Sequence, residues 1–171
     1  MTMLQHLNDR HMNMELHRPV VDEVGGVATF FLWNLSGQLV GYQQYRPNGD
    51  KKSVSRDTAK YFTYVTGASV SVWGVESLHL TPNVVFVCEG VFDACRLTKR
   101  GVSAVAVLSN DPSHSVRQWL KGLGRAVVAV ADNDGAGRRL ATAGDYLVHP
   151  DAHDLGEASE DFVALLLEKF V

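Results

Sequence analysis

Val84-Val85-Phe86-Val87-Cys88 is an unbroken apolar run rich in β-branched residues, and it constrains the fold more than any other segment. A half-exposed strand alternates apolar with polar side chains. A run with no polar position has to be covered on both faces. Two more such runs follow, at 104–108 and 126–131. Helical patterns separate them. One covers 90–100, with Val91, Ala94, Cys95 and Thr98 on one face and Gly101 as its stop; the next covers 113–123 and stops at Gly124. A third helix is expected over 136–146 and a short fourth strand at 147–148. Ser159 is placed to cap a last amphipathic helix carrying Phe162, Leu165, Leu166 and Phe170. Successive strand–helix units predict a parallel sheet with helices on both faces.

Residues before this region read differently. Strands are expected at 27–33 and 38–45, joined by an Asn34-Leu35-Ser36-Gly37 turn, and at 61–65, after a polar, turn-rich stretch at 46–60. A further short element lies near Trp73-Gly74-Val75. The first nineteen residues form a short helix or a frayed arm; His6, His11 and His17 are spaced too irregularly to argue for a metal site. The chain therefore divides near Thr81-Pro82-Asn83, into a small β-rich (α+β) lobe at 1–83 and an α/β unit at 84–171. No internal repeat or low-complexity tract is present.

Charge separates the two parts further. The 171 residues carry a net charge of -3, which excludes attachment to nucleic acid by bulk charge. Within 42–65, however, Arg46, Lys51, Lys52, Arg56 and Lys60 face only Asp50 and Asp57, a local excess of +3. Two cysteines, Cys88 and Cys95, are too few for a disulfide framework or a thiolate zinc site and read as core residues. The first residues lack the apolar stretch of a secretory signal, and no run approaches the ~18 apolar residues of a membrane span. The expectation is a soluble, cytoplasmic protein without membrane contact.

In a parallel sheet, function collects beyond the carboxyl ends of the strands. Here those ends are acidic. Glu89 follows the first strand, Asp132 the third, and Asp134 comes two residues later. If the first and third strands are neighbours, these carboxylates share one volume. Bare, they raise one another's pKa; a divalent cation relieves the repulsion, and Mg²⁺ accepts such oxygens while leaving room for phosphate. Singly, Asp132 or Asp134 reads as a turn or cap acid, and Glu89 as a first-turn helix acid. The combination of Glu-Gly after one strand and Asp-x-Asp after another is more specific.

The segment VVFVCEGVFDACRL (84–97) resembles the first motif of the Toprim domain, and VVAVADNDGAGRRLA (127–141) resembles the second. The resemblance implies a Toprim-type parallel sheet flanked by helices and a catalytic, Mg²⁺-binding set (Mn²⁺ also possible) at Glu89, Asp132 and Asp134. It adds Asp154, in His153-Asp154-Leu155-Gly156-Glu157, as a further metal contact; primases of this type usually show Lys where His153 stands. Asp93 matches a position often acidic in primases. The hairpin Gly37 through Arg46-Pro47, the pair Lys60-Tyr61 and the pair Trp73-Gly74 resemble the lobe that precedes Toprim in phage-encoded primases. The resemblance implies that Arg46 and Lys60 face the metal site. With Lys51 and Lys52 they would bind substrate or template phosphates. Tyr42, Tyr45, Tyr61 and Tyr64 either stack bases or pack a core.

The reading that results is a DNA primase-like nucleotidyltransferase. It joins ribonucleoside triphosphates on a single-stranded DNA template, in the host cytoplasm if phage-encoded. The chain carries neither zinc-module cysteines nor a P-loop, so a template-recognition module and a replicative helicase are expected as partners in trans. Two alternatives stand beside it. One is a Toprim nuclease that activates water; the other is a non-catalytic single-stranded-DNA-binding replisome module. A phosphoacceptor receiver domain is disfavoured, because no Lys sits where its last strand would supply one.

Overall fold

All five side chains of the 84–88 run are buried, as a strand covered on both faces requires. In the computed structural model, which describes residues 1–67, 70–134 and 137–171, this run lies centrally in the second of two four-stranded sheets. The first sheet is antiparallel and runs in chain order: β1 (Val20–Asp22), β2 (Val27–Trp33), β3 (Leu39–Tyr45) and β4 (Tyr61–Val65). The second is parallel. Its strands are β5 (Val84–Cys88), β6 (Ala104–Ala106), β7 (Ala126–Val130) and β8 (Tyr146–Val148), in the order β6-β5-β7-β8.

Helices cover both faces of the parallel sheet. On one side Val84, Phe86, Cys88, Val128 and Val130 pack with α3 (Val91–Thr98) and α5 (Glu160–Phe170); on the other, Val85, Val87, Val127 and Ala129 pack with α4 (His114–Gly122). Serines start two of these helices: Ser113 Oγ accepts from Val116 N–H, and Ser159 Oγ from Phe162 N–H. Among the described residues no helix is long and apolar enough to cross a membrane.

The first apolar cluster does not stop at residue 83. Leu7 of α1 (Met3–Asp9), Met12, Phe30, Leu32, Tyr45 and Trp73 share it with Phe86, Phe92 and Val163. The N-terminal segment is an ordered cover, not a frayed arm. Its three histidines tie it down separately. His6 Nε2 meets Tyr45 Oη at 2.9 Å, and His11 Nε2 meets Arg96 Nη1 at 2.5 Å. His17, after the start of α2 (Met14–His17), bonds Glu76 through Nδ1 (2.5 Å) and Thr98 through Nε2 (2.9 Å).

Two consecutive residues splice the sheets. Trp33 and Val72 exchange backbone hydrogen bonds of 2.9 and 2.8 Å, and Trp73 does the same with Ala106, at 2.9 and 3.0 Å. The Trp73 ring is buried and lies 4.1 Å from the His17 ring. Gly74 follows at φ +88, where a Cβ would sit 2.7 Å from Ala104 O.

The expected third α-helix is corrected. Its first residue, Ala136, lies with Gly135 outside the described residues, and Gly137–Ala143 is a 3₁₀ helix. The reason is partly local and partly a close approach to β7. Three glycines within 135–144 oppose an α-helix, and a Cβ on Gly144 would lie 2.9 Å from Ala129 N and from Tyr146 O. The chain must cross closely there to begin β8, one residue earlier than expected. The Asn34–Gly37 turn forms as read, with Asn34 Oδ1 accepting from Ser36 and Gln38 N–H. The 3-residue β1 was not legible in the sequence.

Candidate metal centre

β5 and β7 are direct neighbours, and their last residues, Cys88 and Val130, are register partners. Glu89 and Asp132 leave from this one point in the sheet. Leu108 N–H donates to Glu89 C=O at 2.9 Å, from a backbone in the left-handed region (φ +57) that a branched side chain seldom adopts. β6 ends early, at Ala106, as the chain turns to make this contact.

The exits open into a cleft of about 300 Å³. Glu89, Asp93, Asp132 and Asp154 line it, opposite Arg10, Gln43 and Tyr61. Burial, then Asp132 and Asp134, push the Glu89 carboxyl up to about 7; the backbone N–H of Asp132 offsets part of this. Burial and then Asp154 push Asp93 up to about 7. Asp132 is raised too, by burial and then by Asp154 and Asp134. Asp134 is exposed and adds to this field from the rim.

Asp93 also has a framing role. Its Oδ1 accepts from Gly156 N–H (2.9 Å) and its Oδ2 from Gly90 N–H (3.2 Å), so it joins the start of α3 to the 3₁₀ turn Leu155–Glu157. Asp154 caps that turn, with Oδ1 accepting from Glu157 N–H at 2.9 Å, while it lines the cleft. One side chain thus both caps the turn and lines the cleft. His153 C=O accepts from Asn133 N–H at 2.9 Å, which brackets the acidic loop after β7.

Among the described residues no three His, Cys, Asp or Glu side chains are already gathered tightly enough to hold an ion. The donors nevertheless suit one. Among the described residues the buried Glu89 Oε1 has no hydrogen-bond partner, and the carboxylates around it repel one another. A hard divalent cation that takes oxygen ligands answers both.

Arg46 and Lys60 are not among the residues lining this cleft. Arg46 lines a larger cavity, about 730 Å³, between the start of α1, the β1–β2 turn and the 46–50 segment. Lys51 and Lys52 are exposed on the adjoining loop. The cation in the cleft is Arg10, whose guanidinium lies 4.3 Å from the Phe92 ring centroid. Nothing in the sequence marks Arg10: it ends an N-terminal helix, far along the chain from every acid it faces. Tyr61, whose hydroxyl is pushed up to about 12 by burial and then by Tyr45, is the other residue whose place only the fold reveals. Cys88 and Cys95 are buried free thiols, pushed well up by burial, as their core reading requires.

No protein-family model matches the chain, and no curated protein matches it. Solved structures do match. The zinc-binding and RNA polymerase domains of the Aquifex aeolicus primase align at a TM-score of 0.63 and 19% identity, over 91% of this chain and 44% of that one. The RNA polymerase domain of Mycobacterium tuberculosis primase DnaG aligns at 0.61 and 18%, over 98% and 61%. A DnaG primase catalytic domain bound to ssDNA aligns at 0.59 and 23%, over 96% and 60%. The chain spans 44% to 61% of the length of these neighbours. At such identities the likeness is one of fold: the chain has the fold of the Toprim-domain primase core.

Proposed function

We propose that the chain is a primase-like nucleotidyltransferase core, acting on ribonucleoside triphosphates along a single-stranded DNA template in the cytoplasm. The observation that carries this reading is the pairing of Cys88 with Val130, which delivers Glu89 and Asp132 to one cleft on a primase-core fold. Glu89, Asp132, Asp134 and Asp154 would hold Mg²⁺, or Mn²⁺ in its place. A bound divalent ion would supply neutralising charge for a triphosphate and favour ionisation of an attacking hydroxyl.

The chain's own residues do the rest. In the joining step a 3′-hydroxyl oxygen bonds to the α-phosphorus, the bond to pyrophosphate breaks, and the hydroxyl proton needs an acceptor. Glu89 Oε1, unpartnered at the strand exit, is in place to take it. Arg10, a cationic side chain of the cleft lining, would meet the departing phosphates. Asp93 holds the 154–157 turn against α3 and so positions Asp154. Arg46, Lys51, Lys52 and Lys60, outside this lining, serve the template backbone instead. A template-recognition module and a helicase would act in trans.

The test is primer synthesis from labelled ribonucleotides on single-stranded DNA with Mg²⁺ or Mn²⁺. Asp132→Asn and Glu89→Gln are each expected to lower the rate by about 100-fold or more, the scale of losing one charge-stabilising group. A Glu89→Gln protein as active as wild type overturns the assignment. Cleavage of the DNA in the absence of nucleotides would favour the hydrolytic alternative.

A further inference from the structure

The outer face of the antiparallel sheet is aromatic. An antiparallel sheet with one covered face normally turns polar residues to water on the other. Here the inner face, with Ala28, Phe30, Leu32 and Tyr45, is buried in the core. The alternate positions carry Phe31, Trp33, Tyr42, Phe62 and Tyr64, and none of these five belongs to either apolar cluster. Register brings them together: Phe31 is opposite Tyr42, Tyr42 is opposite Tyr64, and Gln44 is opposite Phe62. The Tyr42 ring lies 5.5 Å from Tyr64 and 6.5 Å from Phe62. Tyr64 is 49% exposed.

Cations border one end of this face. Arg46 N–H donates to Lys60 C=O at 2.9 Å, so the β3–β4 ladder runs one step further. Lys60 precedes Phe62 and Tyr64 in their row, whereas the Arg46 side chain lines the cavity beside α1. Lys51, Lys52 and Arg56 lie on the loop beyond, all exposed. Across the aromatic rows there is no acid; Asp22, on the far strand β1, is occupied with Gly25 N–H at 2.8 Å.

We infer that this face is a stacking platform for a single strand of nucleic acid, whose bases lie on Tyr42, Tyr64 and Phe62 while its phosphates run past Lys60 and the 51–56 loop. A surface built from ring faces and a flanking positive charge suits unpaired bases on an anionic backbone. That border is net positive, with Asp50 and Asp57 set among its cations, and an anionic backbone answers the excess better than a protein surface of mixed charge. The inference deepens the template reading above, and rests on it for the choice of an unpaired strand over a duplex. It adds a contact surface separate from the carboxylate cleft.

The experiment measures fluorescence anisotropy of a labelled oligothymidylate and of an abasic oligomer of equal length, in EDTA and without nucleotides. Wild type binds the oligothymidylate more tightly. Tyr64→Leu and Tyr42→Leu keep an apolar side chain but remove the ring, and each lowers that preference about tenfold, the scale of one stacked base. Tyr64→Phe keeps it, and circular dichroism confirms that all variants are folded. Equal binding of both oligomers by wild type, or an unchanged preference in both leucine variants, overturns the inference. So does concentration-dependent self-association that Tyr64→Leu abolishes while oligonucleotide affinity stays. The assay contains neither divalent ion nor nucleotide and so reads no polymerisation, and failure of the polymerisation reading and failure of this one are told apart.

Discussion

Cys88 and Val130 face each other as the last paired residues of two adjacent parallel strands. Whatever the chain places one and two residues beyond them must meet. It places Glu89 and Asp132 there, and both carboxyls are held above their usual range. The sheet gathers repelling charges at a point where folding alone has no use for them.

The metal-free protein is therefore expected to gain stability when one charge is removed. A carboxyl raised to about 7 contributes full stability only below the ordinary carboxylate range, and that contribution is lost as pH climbs through about 7. At pH 8 in EDTA, Glu89→Gln should raise Tm by about 2–5 °C in calorimetry. Added Mg²⁺ should raise the wild-type Tm and move the variant less. A lower Tm for Glu89→Gln in EDTA would contradict the repulsion described here.

Arg10 gives a complementary prediction. Its guanidinium sits over Phe92 and inside the acidic cleft. Arg10→Gln should raise KM for nucleoside triphosphates about tenfold or more, while the urea midpoint changes by less than about 1 kcal/mol equivalent. Equal KM values in steady-state primer synthesis would remove Arg10 from the site.

His11 should make stability fall in mild acid. Its pKa is lowered by burial and then by Arg96, with Arg10 and Arg100 acting in the same sense and Glu160 against them. A histidine depressed in the folded state contributes stability that is present above pH ~6.5 and is lost as pH falls through its folded value. His11 stands at φ +62, a conformation that Asn tolerates. The stability difference between wild type and His11→Asn, followed by urea denaturation from pH 7.5 to 5, should therefore shrink as the pH falls.

Arg96 ties the N-terminal segment to the end of the chain. Its side chain is buried, bonds His11 Nε2 and Ala158 C=O, and reaches Glu160 Oε1 at 3.1 Å. Arg96→Met leaves two acceptors without a donor and should cost about 2–4 kcal/mol of unfolding free energy, from orphaned groups at about 1–2 kcal/mol each. A loss below 0.5 kcal/mol in chemical denaturation, roughly the scatter of surface substitutions, would show that water replaces it.

Much of this was readable beforehand, and the reasons divide cleanly. β5, β7 and β4 were legible because burial on two faces, or β-branched and aromatic density, leaves a local signature. Glu89 and Asp132 could be placed at the carboxyl edge of the sheet because strand exits are local as well, whereas Asp154 was expected only from the resemblance. The 3₁₀ segment Gly137–Ala143 was misread as an α-helix because its apolar spacing is helical while the constraint on Gly144 comes from a different strand. Arg10, and the removal of Arg46 from the cleft lining, depend on how an N-terminal cover packs across both sheets, which no short window of sequence encodes. Tyr45 and Tyr64 show the same limit: both sit in strands, and only the register tells which is core and which is surface.

The splice at Val72 and Trp73 sets how such a molecule can breathe. Swinging one sheet away from the other would sever four main-chain hydrogen bonds and pull Trp73 off His17. The main chain thus ties the two sheets together at consecutive residues, whereas the Arg10 side chain and the turn at 154–157 reach the cleft without strand pairing.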